Sequence, residues 1–133
     1  MFNMIFVNQP VENLKRSVDF FTELGFTFNP QFTDEQSTCM IVSDAIYVML
    51  LERPKFQSFV PKKIAEVDTT EMLLSFSCDS ADQVRDISQR AFDLGAKQLN
   101  EPEDRGLMFS WGFEDLDGHI WDLFWMDPAY IQN

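Results

Sequence analysis

Histidine occurs once in this chain and cysteine twice, and only 10 basic residues stand against 22 acidic ones. Each scarcity removes a class of function. A net charge of −12 repels phosphate backbones and anionic lipid headgroups, so neither nucleic acid nor a membrane surface is an expected partner. No window stays apolar for the length of a membrane span. The opening residues 1–7 lack the basic start and cleavage site of a secretory signal. These features predict a soluble, cytoplasmic protein. Cys39 and Cys78 form no Cys-x-x-Cys pattern and sit among strand-like residues, which reads as two buried free thiols. With His119 as the sole imidazole, any Cys-His or Ser-His pair would have to use it, and nucleophilic catalysis is not expected.

What the chain does have is apolar bulk. Its 133 residues are 45% hydrophobic and include 14 Phe and 3 Trp, enough for one well-packed domain. Residues 4–8 read as a strand. A helix is predicted over 14–24, because Leu14, Val18, Phe21 and Leu24 recur at helical spacing and Gly25 can end it. Strands are predicted over 26–32, 38–43 and 46–51, with Ser43-Asp44-Ala45 as a tight turn. The pattern weakens from Arg53 to Thr70 into a connecting loop or short helical excursion, whose Phe56, Phe59 and Val60 could cap a pocket or simply pack.

The same order then returns. A strand is predicted over 72–78, a helix over 81–94 capped by Asp79 or Ser80, and strands over 97–99, 107–113 and from His119 onward. Leu24-Gly25-Phe26 and Leu94-Gly95-Ala96 fall at equivalent places, 95 − 25 = 70 positions apart. A duplicated β-α-β-β-β unit follows, with module one at about 1–53, a connection at about 54–70 and module two at about 71–133. The fold class is α+β, in a single domain spanning 1–133. Asp19, Glu23, Asp82, Asp86 and Asp93 on the helices read as solvated outer surface.

The most telling segment is Glu114-Asp115-Leu116-Asp117-Gly118-His119-Ile120-Trp121-Asp122-Leu123-Phe124. Its Asp-Leu-Asp-Gly turn supplies Asx-type hydrogen bonds and a glycine able to take positive φ, so two strands can reverse there. Alternation puts Trp121, Leu123 and Trp125 on one face and Ile120, Asp122 and Phe124 on the other. The first face belongs to a core, and the second must border something that tolerates a charge. Asp122 is the candidate catalytic group: a carboxylate in an apolar cleft can act as a general base or as the counter-ion of a cationic ligand. The alternative is a carboxylate satisfied by a nearby Arg, by Asn8 or Ser75, or by water. His119, at opposite parity, reads as a turn-side or packing residue. Arg105, in a loop with Glu103, Asp104 and Gly106, could close over an anion or simply be solvated.

Val11 to Phe26, ending in Leu-Gly-Phe, and the Asp-x-Asp-Gly hairpin before the last strand together resemble the vicinal oxygen chelate superfamily. That superfamily includes glyoxalase I, bleomycin-resistance proteins and extradiol dioxygenases. Within it the chain looks most like short bacterial proteins labelled predicted lactoylglutathione lyases. The resemblance implies a glyoxalase-like fold in which each module curls around half of a shared cavity, and it implies a homodimer. It also implies four metal ligands from the first and fourth strands of each module, which here fall at Phe6, Met49, Leu73 and Asp122. Three of these offer no donor suited to a hard divalent ion. A metal-free cavity is therefore expected, without a cofactor, and a divalent metal is the alternative.

The residues expected to line that cavity are Phe6, Asn8, Tyr47, Met49, Leu73, Ser75, Asp122 and Phe124, with Trp111 added as a possible stacking platform. Ser77 and Ile120 share their parity. The leading functional expectation is the binding of a small, mostly apolar molecule. Two alternatives stay open: a metal-dependent lyase-like or dioxygenase-like enzyme, and an interaction module whose cavity is filled by its own side chains.

Overall fold

In the computed structural model, which describes residues 1–129, the protein is α+β, with two four-stranded mixed sheets. The chain divides into two compact units, Met1–Glu66 and a second that begins at Val67.

In the first unit, strand β1 (Ile5–Val11) leads into helix α1 (Leu14–Glu23), followed by strands β2 (Thr27–Asn29), β3 (Ser37–Ile41) and β4 (Ile46–Glu52). The sheet order is β1-β4-β3-β2, with β1 parallel to β4 and the other pairs antiparallel. Asn13 caps α1 by accepting from the Arg16 amide at 3.0 Å. Glu52, from the far end of β4, accepts from the Leu14 amide at 3.1 Å and places negative charge at the positive end of the helix. Leu14, Phe20, Phe21 and Leu24 are buried on one stripe of the helix, and Val48, Leu50 and Met40 are buried in the sheet. Each such side chain contributes on the order of 1.5–3 kcal/mol by leaving water.

The strand predicted over 4–8 is too short. The strand instead runs through Pro10 to Val11. The Ile5 amide bonds to Ala45 O at 2.9 Å, so alternate amides face β4. Pro10 has the opposite parity at the edge of its sheet, where its missing N–H costs no ladder bond. The predicted strand over 26–32 is also corrected: it stops at Asn29, whose side chain accepts from the Gln31 amide and starts a 3-10 turn at Pro30–Phe32. The weak stretch after Glu52 opens with a helix, α2 (Arg53–Phe59), which has Pro54 in its first turn.

The second unit contains β5 (Leu73–Ser77), α3 (Ala81–Asp93), β6 (Glu103–Asp104), β7 (Met108–Glu114) and β8 (Ile120–Met126). Their sheet order is β5-β8-β7-β6 and β5 lies parallel to β8, as β1 lies to β4. Ser80 caps α3 through the Gln83 amide at 3.0 Å. The predicted strand over 97–99 is reduced to one bridge, Lys97 to Glu114. The second strand of this unit forms later, at Glu103–Asp104, where Arg105 and Gly106 make the turn into β7.

Both long helices end in the same way. After α1, the Phe26 amide reaches Phe21 O and the Gly25 amide reaches Thr22 O, both at 3.0 Å. After α3, the Ala96 amide reaches Ala91 O at 3.0 Å and the Gly95 amide reaches Phe92 O at 3.1 Å. The two glycines take φ of 104° and 106°, the left-handed residue that this double bond pattern requires. The Leu-Gly repeat in the sequence is thus a repeat of one helix stop.

Candidate functional site

The β7–β8 hairpin is built on Asp115. Its Oδ1 accepts from the amides of Asp117 (2.9 Å) and His119 (3.0 Å), and its Oδ2 accepts from the Trp121 indole N–H at 2.9 Å. Burial pushes this carboxyl up, while the nearby His119 and these donors pull the other way. His119 is buried, with Nδ1 at 2.6 Å from Glu71 Oε1, and Gly118 packs so closely on Val67 that a Cβ there would meet Val67 O at 2.8 Å. The expected packing role of His119 is what the geometry provides. The turn was legible in Asp-Leu-Asp-Gly, but the reach of Asp115 to Trp121 was not, since it depends on a contact six residues away.

Below this turn, β8 separates its faces by alternation. Trp121 and Leu123 are buried, with Phe113 stacked on Trp121 at 6.2 Å and Phe76 at 5.4 Å. On the opposite face, Asp122 sits between Ser75 of β5 and Gly112 of β7 in the sheet register. Ser75 Oγ–H donates to Asp122 Oδ2 at 3.0 Å. Asp122 is half-buried, and desolvation is the main cause that raises its pKa. Ser75 opposes that rise and Glu103 adds to it. Leu73 and Ile120 lie one pair away on this face, and Ser77, Phe124 and Ser110 one pair away on the other side. The predicted set Leu73, Ser75, Asp122 and Phe124 is therefore brought together on one sheet face.

Trp111 is not on that face. It pairs with Leu123 in register, is buried, packs edge-on against Phe92 of α3 at 5.1 Å and donates its indole N–H to Asn100 O at 3.0 Å. The expectation of a stacking platform at Trp111 is corrected by strand parity, which assigns it to the core under α3. Trp125, expected in that same core, is only partly buried. Arg105 pairs with Glu103 at 2.6 Å on exposed surface.

In the first unit, Phe6 and Tyr47 are register partners and stack at 4.7 Å with 14° between their rings. Asn8 pairs with Met49, and Met49 with Cys39. Asn8 donates to its own neighbour, Phe6 O, at 3.3 Å, and the Tyr47 hydroxyl donates to Asp44 O at 2.9 Å. The four predicted residues Phe6, Asn8, Tyr47 and Met49 share this face. Cys39 is buried and Cys78 partly so, and burial raises both thiols, away from the thiolate a nucleophile needs.

Residues 3–43 match the family model described as bleomycin resistance protein-like N-terminal. A hypothetical protein of S. aureus has 24% identity and a TM-score of 0.78 over 93% of this chain and 94% of its own. A glyoxalase/bleomycin resistance protein/dioxygenase family enzyme of Burkholderia phytofirmans has 13% identity and a TM-score of 0.79, over 91% of this chain and 96% of its own. The chain has the vicinal oxygen chelate fold. The fosfomycin resistance protein FosX of Mesorhizobium loti shares it at 19% identity, with a TM-score of 0.70 over 98% and 97% of the two chains. No curated protein matches the sequence. The family match and these solved structures together support the superfamily resemblance read from the sequence.

The resemblance assigns metal ligands to Phe6, Met49, Leu73 and Asp122, and the residues at these positions do not fit a metal. Phe6 presents a ring already stacked on Tyr47. Leu73 presents an alkyl chain and Met49 a thioether, which is a soft ligand. Asp122 alone has a carboxylate, already bonded to Ser75. Among the described residues, no group of three or more His, Cys, Asp or Glu side chains could hold a metal ion.

Proposed function

We propose that this protein is a member of the vicinal oxygen chelate superfamily, that it binds a small, mostly apolar molecule, and that it does so without a resident metal. The observation that carries the reading is the composition of the four ligand positions, Phe6, Met49, Leu73 and Asp122, where apolar surface replaces three donors and one polar point survives. Ligand sites commonly combine an apolar lining with a few oriented polar groups. Phe6 is 45% exposed and Leu73 56% exposed, so each of these two positions presents apolar surface. Two solved relatives whose names include bleomycin or fosfomycin resistance support a role in handling small molecules rather than macromolecules. The activity is sequestration, and the protein acts in the cytoplasm. No helix among the described residues is long and apolar enough to cross a membrane.

Metal analysis of protein purified without chelators tests the central point. Nickel, zinc or iron well below stoichiometric is expected, and one equivalent of any of them would overturn the reading. Turnover of the hemithioacetal of methylglyoxal and glutathione that rises with added metal would overturn it as well. A thermal-shift screen of small apolar compounds is expected to find stabilising ligands, because binding to the folded state alone raises apparent stability.

The protein works as a homodimer in this proposal. Strands β1 and β5 end their sheets, and Met4, Ile5, Phe6, Met72 and Leu73 are exposed large hydrophobics on or beside them, a pattern that monomers usually avoid. Light scattering is expected to give twice the 15.5 kDa chain mass, and a monomer at micromolar concentration would refute the dimer.

A further inference from the structure

The Asp122 face has an electrostatic character that an apolar ligand alone would not use. Asp122 is held between β5 and β7 with one hydrogen-bond donor, the Ser75 hydroxyl. Among the described residues no Lys or Arg side chain is within bonding distance of it, and the charged group that influences it is another acid, Glu103 of β6. The cation nearest in sequence to that acid, Arg105, turns outward to bond Glu103 itself through Nε at 3.1 Å and Nη2 at 2.6 Å. Lys97 reaches Glu114 at 3.8 Å. Around the carboxylate the face mixes apolar bulk with neutral hydroxyls: Leu73 and Ile120 lie on one side, and Phe124 lies with Ser77 and Ser110 on the other.

A half-desolvated carboxylate with a single neutral donor retains lone pairs that no charged group among the described residues satisfies. The hydrogen bonds that would stabilise it best are charge-assisted ones. A cation arriving from solution would supply them and would also relieve the repulsion from Glu103. The whole molecule favours its arrival, because a net charge of −12 raises the local concentration of cations. A small hydrated metal ion is a poor match, since the flanking groups add only the neutral hydroxyls of Ser75, Ser77 and Ser110, and no group of three or more His, Cys, Asp or Glu side chains that could hold one stands among the described residues. An ammonium attached to an apolar body suits both halves of the surface.

We propose that the ligand of the Asp122 face is an organic cation, a protonated amine whose ammonium bonds the Asp122 carboxylate beside Ser75 while its apolar body lies on Leu73, Ile120 and Phe124. This rests on the small-molecule binding reading above and narrows it to one ligand class.

Three probes with one apolar body separate the two levels: 4-phenylbutylamine, 4-phenylbutanol and 4-phenylbutyrate, titrated into the full chain and followed by amide chemical shifts. The amine is expected to bind about tenfold more tightly than the alcohol, the ratio equivalent to about 1.4 kcal/mol for one charge-assisted bond. The butyrate is expected to bind most weakly, and shifts should centre on Ser75, Asp122 and Phe124. Asp122→Asn keeps the shape and the Ser75 contact, and should bring the amine down to the alcohol. Glu103→Gln should cost the amine no more than about twofold, since a screened neighbour contributes less than a contact. In the unmutated chain, the preference for amine should fade as pH drops through the Asp122 titration, which keeps the test independent of any variant's folding.

Equal affinity for amine and alcohol would overturn the inference and leave apolar binding standing. An amine preference that survives Asp122→Asn would overturn it too. Failure of all three probes to shift this face would overturn both levels.

Discussion

The two units spend similar backbones on different surfaces. Each threads a strand, a helix stopped at Leu-Gly and three further strands, with the first strand parallel to the last. At register-equivalent places on their sheets, however, the first unit stacks Phe6 on Tyr47 and sets Met49 beside Asn8, while the second joins Ser75 to Asp122. Their hairpins differ as well. The β3–β4 turn is closed mainly by backbone bonds around Ser43 and Ile46, whereas the β7–β8 turn is pinned by a buried carboxylate that accepts three hydrogen bonds. The repeated parts are those that backbone geometry demands. The divergent parts are side chains that the backbone leaves free, and chemistry can change there without disturbing the fold.

The sharpest way to break this comparison is at the hairpins. Trp121→Ala should cost about 3–5 kcal/mol in urea unfolding, because it empties a buried ring site and strands the Asp115 acceptor. Asp115→Ala should cost about 2–3 kcal/mol, since it leaves the buried indole N–H and two amides without their acceptor. The corresponding change in the first unit, Ser43→Ala, removes only a 3.4 Å side-chain bond on exposed surface and should fall within about 0.5 kcal/mol. Equal losses at Asp115 and Ser43 would erase the proposed difference between the two turns.

The helix stops test the likeness instead. Gly25→Ala and Gly95→Ala should each cost about 1 kcal/mol, because both put a Cβ on a left-handed residue. A Cβ at 25 meets nothing within 4 Å, and one at 95 meets Leu116 Cδ2 at 3.4 Å, so the second loss should be slightly larger. A difference of several-fold between the two would mean that the stops are not equivalent.

The smallest effect concerns Asp122 and has a sign fixed by its raised pKa. A carboxyl whose folded pKa lies above its unfolded one favours folding in its protonated form. Its contribution is fully present below the unfolded value and is lost as pH rises through the folded one. Asp122→Asn should therefore leave stability near pH 3 unchanged and raise it at pH 7, by less than about 1 kcal/mol after solvent screening. Denaturant midpoints of both proteins at the two pH values check this, and a loss at pH 7 would contradict it.

Much of this architecture was legible in advance where local rules govern. The helix at Leu14–Glu23 follows from its apolar spacing, its Asn13 cap and Gly25, and the parity of Asp122 follows from alternation alone. The misses lie where a local rule was overridden by position in a sheet. The first strand extends past the predicted 4–8 through Pro10, which an edge strand tolerates. The second strand of module two is expected at 97–99, but pairing with β7 takes place at Glu103–Asp104. The neighbours of Trp111 in the sequence do not reveal its packing on Phe92 or its bond to Asn100 O, which place it in the core and not at a ligand.

The sequence by itself determined the duplicated order of elements, the two glycine helix stops, the acidic hairpin and the absence of hard donors at Phe6, Met49 and Leu73, because periodicity, positive φ and donor chemistry are properties of single residues and their near neighbours. Only the tertiary structure decided that Ser75 is the partner of Asp122, that Asp115 holds Trp121 and that Trp111 faces the core. Those facts depend on strand register, which joins residues that are 47, 6 and 11 positions apart in the chain and which no local pattern encodes.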